Sequence, residues 1–129
     1  MTQALFALEA HGGNPETVLA YVVNEFGDEV YDVSFAEKTL KGVMKHRESI
    51  QKIVVEAAPE WPMDKIALLD LVVLEIGIYE IMYHDEVPDL VAINEAVELS
   101  KEFGGYNNSK FINGVLSNVM HHKTEYSLL

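Results

Sequence analysis

The chain contains no cysteine. That excludes disulfides, thiol nucleophiles and cysteine-ligated metal sites. Basic residues are scarce: nine Lys and Arg stand against 21 Asp and Glu, a net charge of −12. None of the nine lies in residues 1–37, where Glu9, Glu16, Glu25, Asp28, Glu29, Asp32 and Glu37 sit. Phosphate contacts draw their affinity from Lys and Arg, so this is the wrong sign for an electrostatic nucleic-acid binder. It suits a plain acidic domain, or one whose anionic surface meets a basic protein. Phosphate-loop chemistry is missing too. Gly104-Gly105 lacks the neighbouring glycines and the Lys-Ser/Thr of such a loop, and reads as a helix stop. No apolar run is long enough for a bilayer without charges in it. Asp70, Glu75 and Glu80 interrupt the most apolar stretch, and each would cost about 2.5–3.5 kcal/mol at a membrane centre. No basic-then-apolar leader opens the sequence, so a cytoplasmic protein with no membrane role is expected.

What is present is helical periodicity along a 129-residue chain with 49 % hydrophobic residues, the size of one domain with a real core. A short helix is expected over 1–10, stopped by His11-Gly12-Gly13. A second follows Asn14-Pro15, with Val18, Leu19, Val22, Val23 and Phe26 on its apolar side. Ser34 and Glu37 form a capping box for a helix reaching about Ala57. On that helix Leu40, Val43, Met44, Ile50 and Val54 share one face. Lys38, Lys41, Lys45 and Lys52 share the other, first of all a solvated face. Arg47 lands among the apolar positions, which calls for a bend or a buried partner. Pro59 and Pro62 bracket Trp61 in a break. The next helix, about 65–83, is apolar on nearly every side and reads as the central core helix. Another is expected over about 89–103, then a Tyr106-Asn107-Asn108 loop, then a last helix from Asn108 or Ser109 with Ile112, Val115, Leu116 and Val119 inward. Residues 121–129 read as a frayed tail. The fold class is all-α, one domain over 1–129.

Catalytic groups do not converge. Among His11, His46, His84, His121 and His122 no pair has chelating helical spacing, and no metal site or cofactor is expected. One constellation fits gripping rather than turnover. Phe111 lies at the edge of an apolar face beside Lys110, after an amide-rich loop. The ring is either core or a platform for an unstacked base, and Asn107, Asn108 and Asn113 either cap and satisfy the loop or bond base edges. Phe6 carries the same ambiguity.

The segments Ala92-Ile93-Asn94-Glu95-Ala96-Val97-Glu98-Leu99, Phe103-Gly104 and Lys110-Phe111-Ile112-Asn113-Gly114-Val115-Leu116 resemble the NusB family of transcription antitermination factors. Leu74–Glu80 is similar to the family's preceding helix, and Gln3-Ala4-Leu5-Phe6 to its first-helix QALY. The resemblance covers most of the chain, is strong over 66–120, and rests on helices alone over 14–60. It implies six to seven helices in two small orthogonally packed bundles, and a non-catalytic adaptor. It implies binding of boxA-like single-stranded RNA together with the small-subunit ribosomal protein NusE, within the RNA polymerase antitermination complex. Carried over by residue, the RNA face would comprise Phe6, Asp70, Asn107, Lys110 and Phe111. An acidic outer surface around Glu75, Glu80 and Glu95 would meet the basic partner. The sequence starts at Met1-Thr2, without the arginine-rich segment usual before QALY, and Asn107 stands where Asp is common. Weak, stacking-led RNA binding that rises when a basic partner docks is therefore expected. Two alternatives stay open: an accessory domain of the kind found in RNA cytosine methyltransferases, and an interaction protein that hides its RNA face by dimerising. The resemblance implies a monomer or a homodimer.

Overall fold

A computed structural model describes residues 33–61, 66, 68–83, 87–104 and 106–129. The helices expected over 1–10 and 15–26, Phe6, His11 and His84 lie outside the described residues. The fold is all-helical. Its described helices are α1 (Val33–Ala57), α2 (Leu68–Tyr83), α3 (Asp89–Gly104), α4 (Tyr106–His121) and the single turn α5 (Lys123–Tyr126).

Helix α2 is the axis of the molecule. It packs against α1, α3 and α4 at once. Residues 72–81 are all buried, as all-round apolarity predicts for a core helix. Around it gather Val43, Ile50, Ile53 and Val54 of α1, Ala92, Ile93, Ala96 and Leu99 of α3, and Ile112, Val115, Leu116 and Val119 of α4. Each fully buried aliphatic side chain contributes about 1.5–3 kcal/mol. Close approach is secured by glycine at two crossings. A Cβ on Gly77 would lie 2.7 Å from Leu116 Cδ1, and one on Gly42 would land on the hydroxyl end of the Tyr79 ring. Beside that crossing His46 of α1 stacks on Tyr83 of α2, with centroids 4.1 Å apart and planes 8° from parallel. Burial, and then the nearby Glu80, push the Tyr79 phenol upward.

The acids of α2 correct the sequence reading. Glu75 and Glu80, assigned to an outer surface, are both fully buried. Glu75 Oε2 accepts from Arg47 Nε at 3.0 Å, so Arg47 has the buried partner its position demanded. Burial raises the Glu75 carboxyl above its ordinary range, and the Arg47 charge and hydrogen bond pull it part of the way back. Thr39 Oγ1 donates to Glu80 Oε1 at 3.3 Å. The two acids thus tie α1 to α2. Met44, placed on the apolar face, is instead 39 % exposed. Lys38, Lys41, Lys45 and Lys52 do point outward.

The C-terminal segment, expected to fray, carries α5. Lys123 Nζ pairs with Asp89 Oδ2 at 2.6 Å, joining the tail to the first turn of α3. Burial, offset by an Asn118 hydrogen bond and reinforced by Glu125 and Glu56, raises the Tyr126 phenol.

Candidate nucleic-acid interface

The site forms where the end of α1 meets the start of α4. Pro59 cannot extend α1, because it lacks an N–H and its ring clashes with the preceding turn. The chain instead makes a tight turn over Ala58–Trp61, closed by Trp61 N–H donating to the Ala58 carbonyl at 3.1 Å. Proline suits the second position of such a turn. Asn118 of α4 donates from Nδ2 to the Ala57 carbonyl at 3.4 Å, which satisfies an acceptor at the helix end and pins it to α4. These constraints deliver Trp61 to Phe111. The rings meet edge to face, with centroids 5.9 Å apart at 64°.

The two rings border an open cavity of about 320 Å³, lined also by Ala57, Ala58, Pro59, Glu60, Lys110, Gly114 and Val115. Trp61 is 52 % exposed. Phe111 is half-buried: it packs partly on the core and turns its remainder to the cavity. Lys110 is exposed beside it.

One turn back on α4 lies a polar anchor. Asn108 Nδ2 donates to both oxygens of Asp70 on α2, at 3.0 and 3.3 Å. Helix α4 starts at Tyr106, two or three residues before the expected boundary at Asn108 or Ser109. The Tyr106-Asn107-Asn108 segment is thus its first turn and no loop. Asn disfavours helix interiors because its side chain competes for backbone groups. With the Asn108 amide engaged by Asp70, that competition is removed.

Of the residues assigned to RNA from sequence, Lys110 and Phe111 share the cavity, and Asp70 supports the start of α4 through Asn108. Asn107 sits in the first turn of α4 with its side chain outside the described residues. Phe6 is outside them altogether. Glu95 is half-buried on α3. Sequence reasoning passed over Trp61 and Glu60. The available signal was the lone tryptophan between two prolines, off any helical face that would have buried it. Among the described residues no three His, Asp or Glu side chains gather to hold a metal ion, and no helix is long and apolar enough to cross a membrane. His122 Nδ1 bonds the Asn118 carbonyl at 3.0 Å within its own helical turn.

The NusB family model matches residues 1–121. The chain belongs to the NusB family. It is similar to the transcription antitermination protein NusB of Dehalococcoides mccartyi strain CBDB1, 39 % identical over 117 residues that span 91 % of this chain and 82 % of that protein. Against the NusB of Listeria monocytogenes serotype 4b strain CLIP80459 identity is 34 %, over 91 % and 88 % of the two chains. The solved NusB of T. maritima superposes with a TM-score of 0.69 at 26 % identity, covering 99 % of this chain and 92 % of that one. Membership in NusB agrees with the motif resemblance at 92–116, and bears out the reading of the chain as a non-enzyme.

Proposed function

We propose that this NusB-family chain is a non-catalytic transcription antitermination adaptor in the cytoplasm, which binds boxA-like single-stranded RNA together with the ribosomal protein NusE. The observation that carries the reading is the half-buried Phe111, turned in part to an open cavity beside the exposed Lys110. Single-stranded RNA is recognised by stacking of splayed bases on aromatic rings, with cations tracking the backbone. Relatives named as transcription antitermination proteins supply the context.

The charge balance assigns a task to the partner. A molecule of net charge −12 repels RNA at long range, and salt screens that repulsion within about 10 Å at 0.1 M. A basic ribosomal protein docked on the acidic surface removes the repulsion and adds phosphate contacts. Glu75 and Glu80, being buried, are not part of that surface. Glu95 remains a proposed contact on it.

The test is a titration of labelled boxA-like RNA against the chain alone and against the chain with NusE, at several salt concentrations. Alone, binding is weak and nearly flat with salt, since a logarithmic slope of about −0.7 per neutralised phosphate leaves little for one lysine. With NusE, affinity and slope both increase. Equal affinity in the two arms overturns the partner assignment, and no binding in either overturns the RNA assignment.

A further inference from the structure

Resting on the RNA reading above, we infer that Trp61 is a second aromatic platform of the RNA site, forming with Phe111 an L-shaped corner that seats one unpaired base over Gly114.

Four observations converge on the corner. Trp61 is large, apolar and 52 % exposed, yet its backbone is held by the Pro59 turn and the bond to Ala58, and its ring rests edge to face against Phe111. An exposed indole on a constrained turn presents stacking area at small entropic cost. The geometry with Phe111 then decides how a base can bind. A sandwich needs about 7 Å between rings, twice the roughly 3.4 Å base-to-base spacing. Centroids 5.9 Å apart at 64° leave no such slot. They leave a corner, in which a base stacks on one ring and abuts the edge of the other.

Gly114 lies along the same cavity. It is a mid-helix glycine, at a cost of about 0.5–1 kcal/mol relative to alanine. Unlike Gly42 and Gly77 it has no packing reason to be glycine, because an added Cβ would meet nothing within 4 Å. A bare backbone beside an aromatic corner lets a flat ligand approach closely. The cavity, about 320 Å³, stands near the lower limit of ordinary small-ligand sites, roughly 300–1,000 Å³.

The rim sets the polarity of the ligand. Lys110 is the cation lining the cavity and Glu60 the anion. A phosphate is drawn to Lys110 and repelled by Glu60. The base therefore turns inward, with its donor edge available to the Glu60 carboxylate, an acceptor only.

The chain's one tryptophan makes the test direct. BoxA-like single-stranded RNA is titrated against the full chain with NusE, reading Trp61 fluorescence and RNA anisotropy together. Both signals are expected to saturate at the same RNA concentration, with the indole quenched. Trp61→Ala should weaken RNA binding roughly 5- to 150-fold, the range for loss of one base–aromatic stack. Trp61→Phe should retain most of the affinity. Gly114→Leu, which fills the corner from α4 without altering either ring, should weaken binding while leaving the helical signal intact. If RNA binds but Trp61→Ala stays within twofold of the parent and the indole signal is unmoved, the corner is refuted and the RNA reading survives. If Trp61→Ala instead loses NusE and keeps RNA affinity, the surface serves a protein and the inference is again refuted. If no RNA binds in any arm, both fall.

Discussion

Replacing Arg47 with Met keeps an unbranched apolar stem and removes the charge and the donor. The partner left behind, Glu75, is fully buried, with its Oε1 already lacking a hydrogen bond among the described residues. Unit charges about 4 Å apart attract by about 4 kcal/mol at an effective dielectric of 20. Breaking a buried pair by deleting one member costs about 3–5 kcal/mol. Arg47 keeps 23 % of its side chain in solvent, which places this pair at the lower end, about 3 kcal/mol. That is a large share of the roughly 5–15 kcal/mol that holds a typical domain together.

The pH dependence follows from the direction of the Glu75 shift. Its carboxyl is raised by burial and partly lowered by Arg47. A raised folded-state pKa means that the native chain binds the proton more readily than the unfolded chain. The stability linked to it is complete below the unfolded carboxylate range and is lost as pH rises through the folded value. Without Arg47 the folded value climbs further, so more is lost by neutrality. The deficit of Arg47→Met should therefore be largest near about pH 7 and shrink on acidification towards the ordinary carboxyl range, about pH 4.3. Urea unfolding followed by circular dichroism, at matched pH for parent and variant, reads both quantities. Glu75→Gln, which removes the charge and keeps the shape, should rescue most of the loss when combined with Arg47→Met. A deficit under about 1 kcal/mol at neutral pH, or one that does not vary with pH, would refute the buried-pair account.

Gly42, Gly77 and Gly114 should respond differently to alanine. Gly114→Ala should gain about 0.5–1 kcal/mol in denaturant unfolding, since nothing stands within 4 Å of the new methyl. Gly42→Ala should lose about 1–3 kcal/mol by overpacking against the Tyr79 ring. Gly77→Ala should fall between them, because the obstacle is the flexible end of Leu116. Equal effects at the three sites would mean that the helix crossings are not close. Thr39→Val removes the hydroxyl that donates to the buried Glu80 and should cost about 1–3 kcal/mol in the same assay; an unchanged midpoint would discount that bond. Asn108→Asp sets a second carboxylate against Asp70 and should cost about 1–3 kcal/mol near neutral pH, with recovery on acidification as the pair takes up a proton. A loss independent of pH would show that packing, and no charge repulsion, is responsible.

Much of this architecture can be read in the sequence, and the misreadings share one cause. Helices α1 to α3 follow from periodicity and stop signals, and α2 identifies itself as central by being apolar on every side. Arg47 stood out as a charge among apolar positions. Periodicity cannot name a partner 28 residues away, however, so Glu75 was left on the surface when it is the residue that answers Arg47. Glu80 was misplaced likewise, since its bond to Thr39 spans 41 residues. The early start of α4 has the same origin: Asn108 reads locally as a loop former, and only its bond to Asp70, 38 residues off, makes it a good first-turn residue. Local propensity is a weak prior that tertiary contacts override. The sequence located Lys110 and Phe111 but could not pair them with Trp61, because that pairing depends on a proline turn and on the crossing of α1 with α4.

On the RNA reading proposed above, the division between buried and open polar groups accounts for how such an acidic chain would serve RNA. Two acids of α2 are spent inside, bridging α1 to α2, and Asp70 is held by Asn108 where α2 meets α4. Each of these contacts joins the central helix to an element that carries one wall of the cavity: α1 delivers Trp61, and α4 delivers Phe111, Lys110 and Gly114. Stiffness in the scaffold therefore becomes alignment at the rim, which is what a stacking site needs, since stacking falls away quickly with distance while charge attraction does not. A site built this way gains little from long-range attraction and depends on fit. That is the arrangement to expect where attraction can be supplied by a basic partner and discrimination must come from the chain itself.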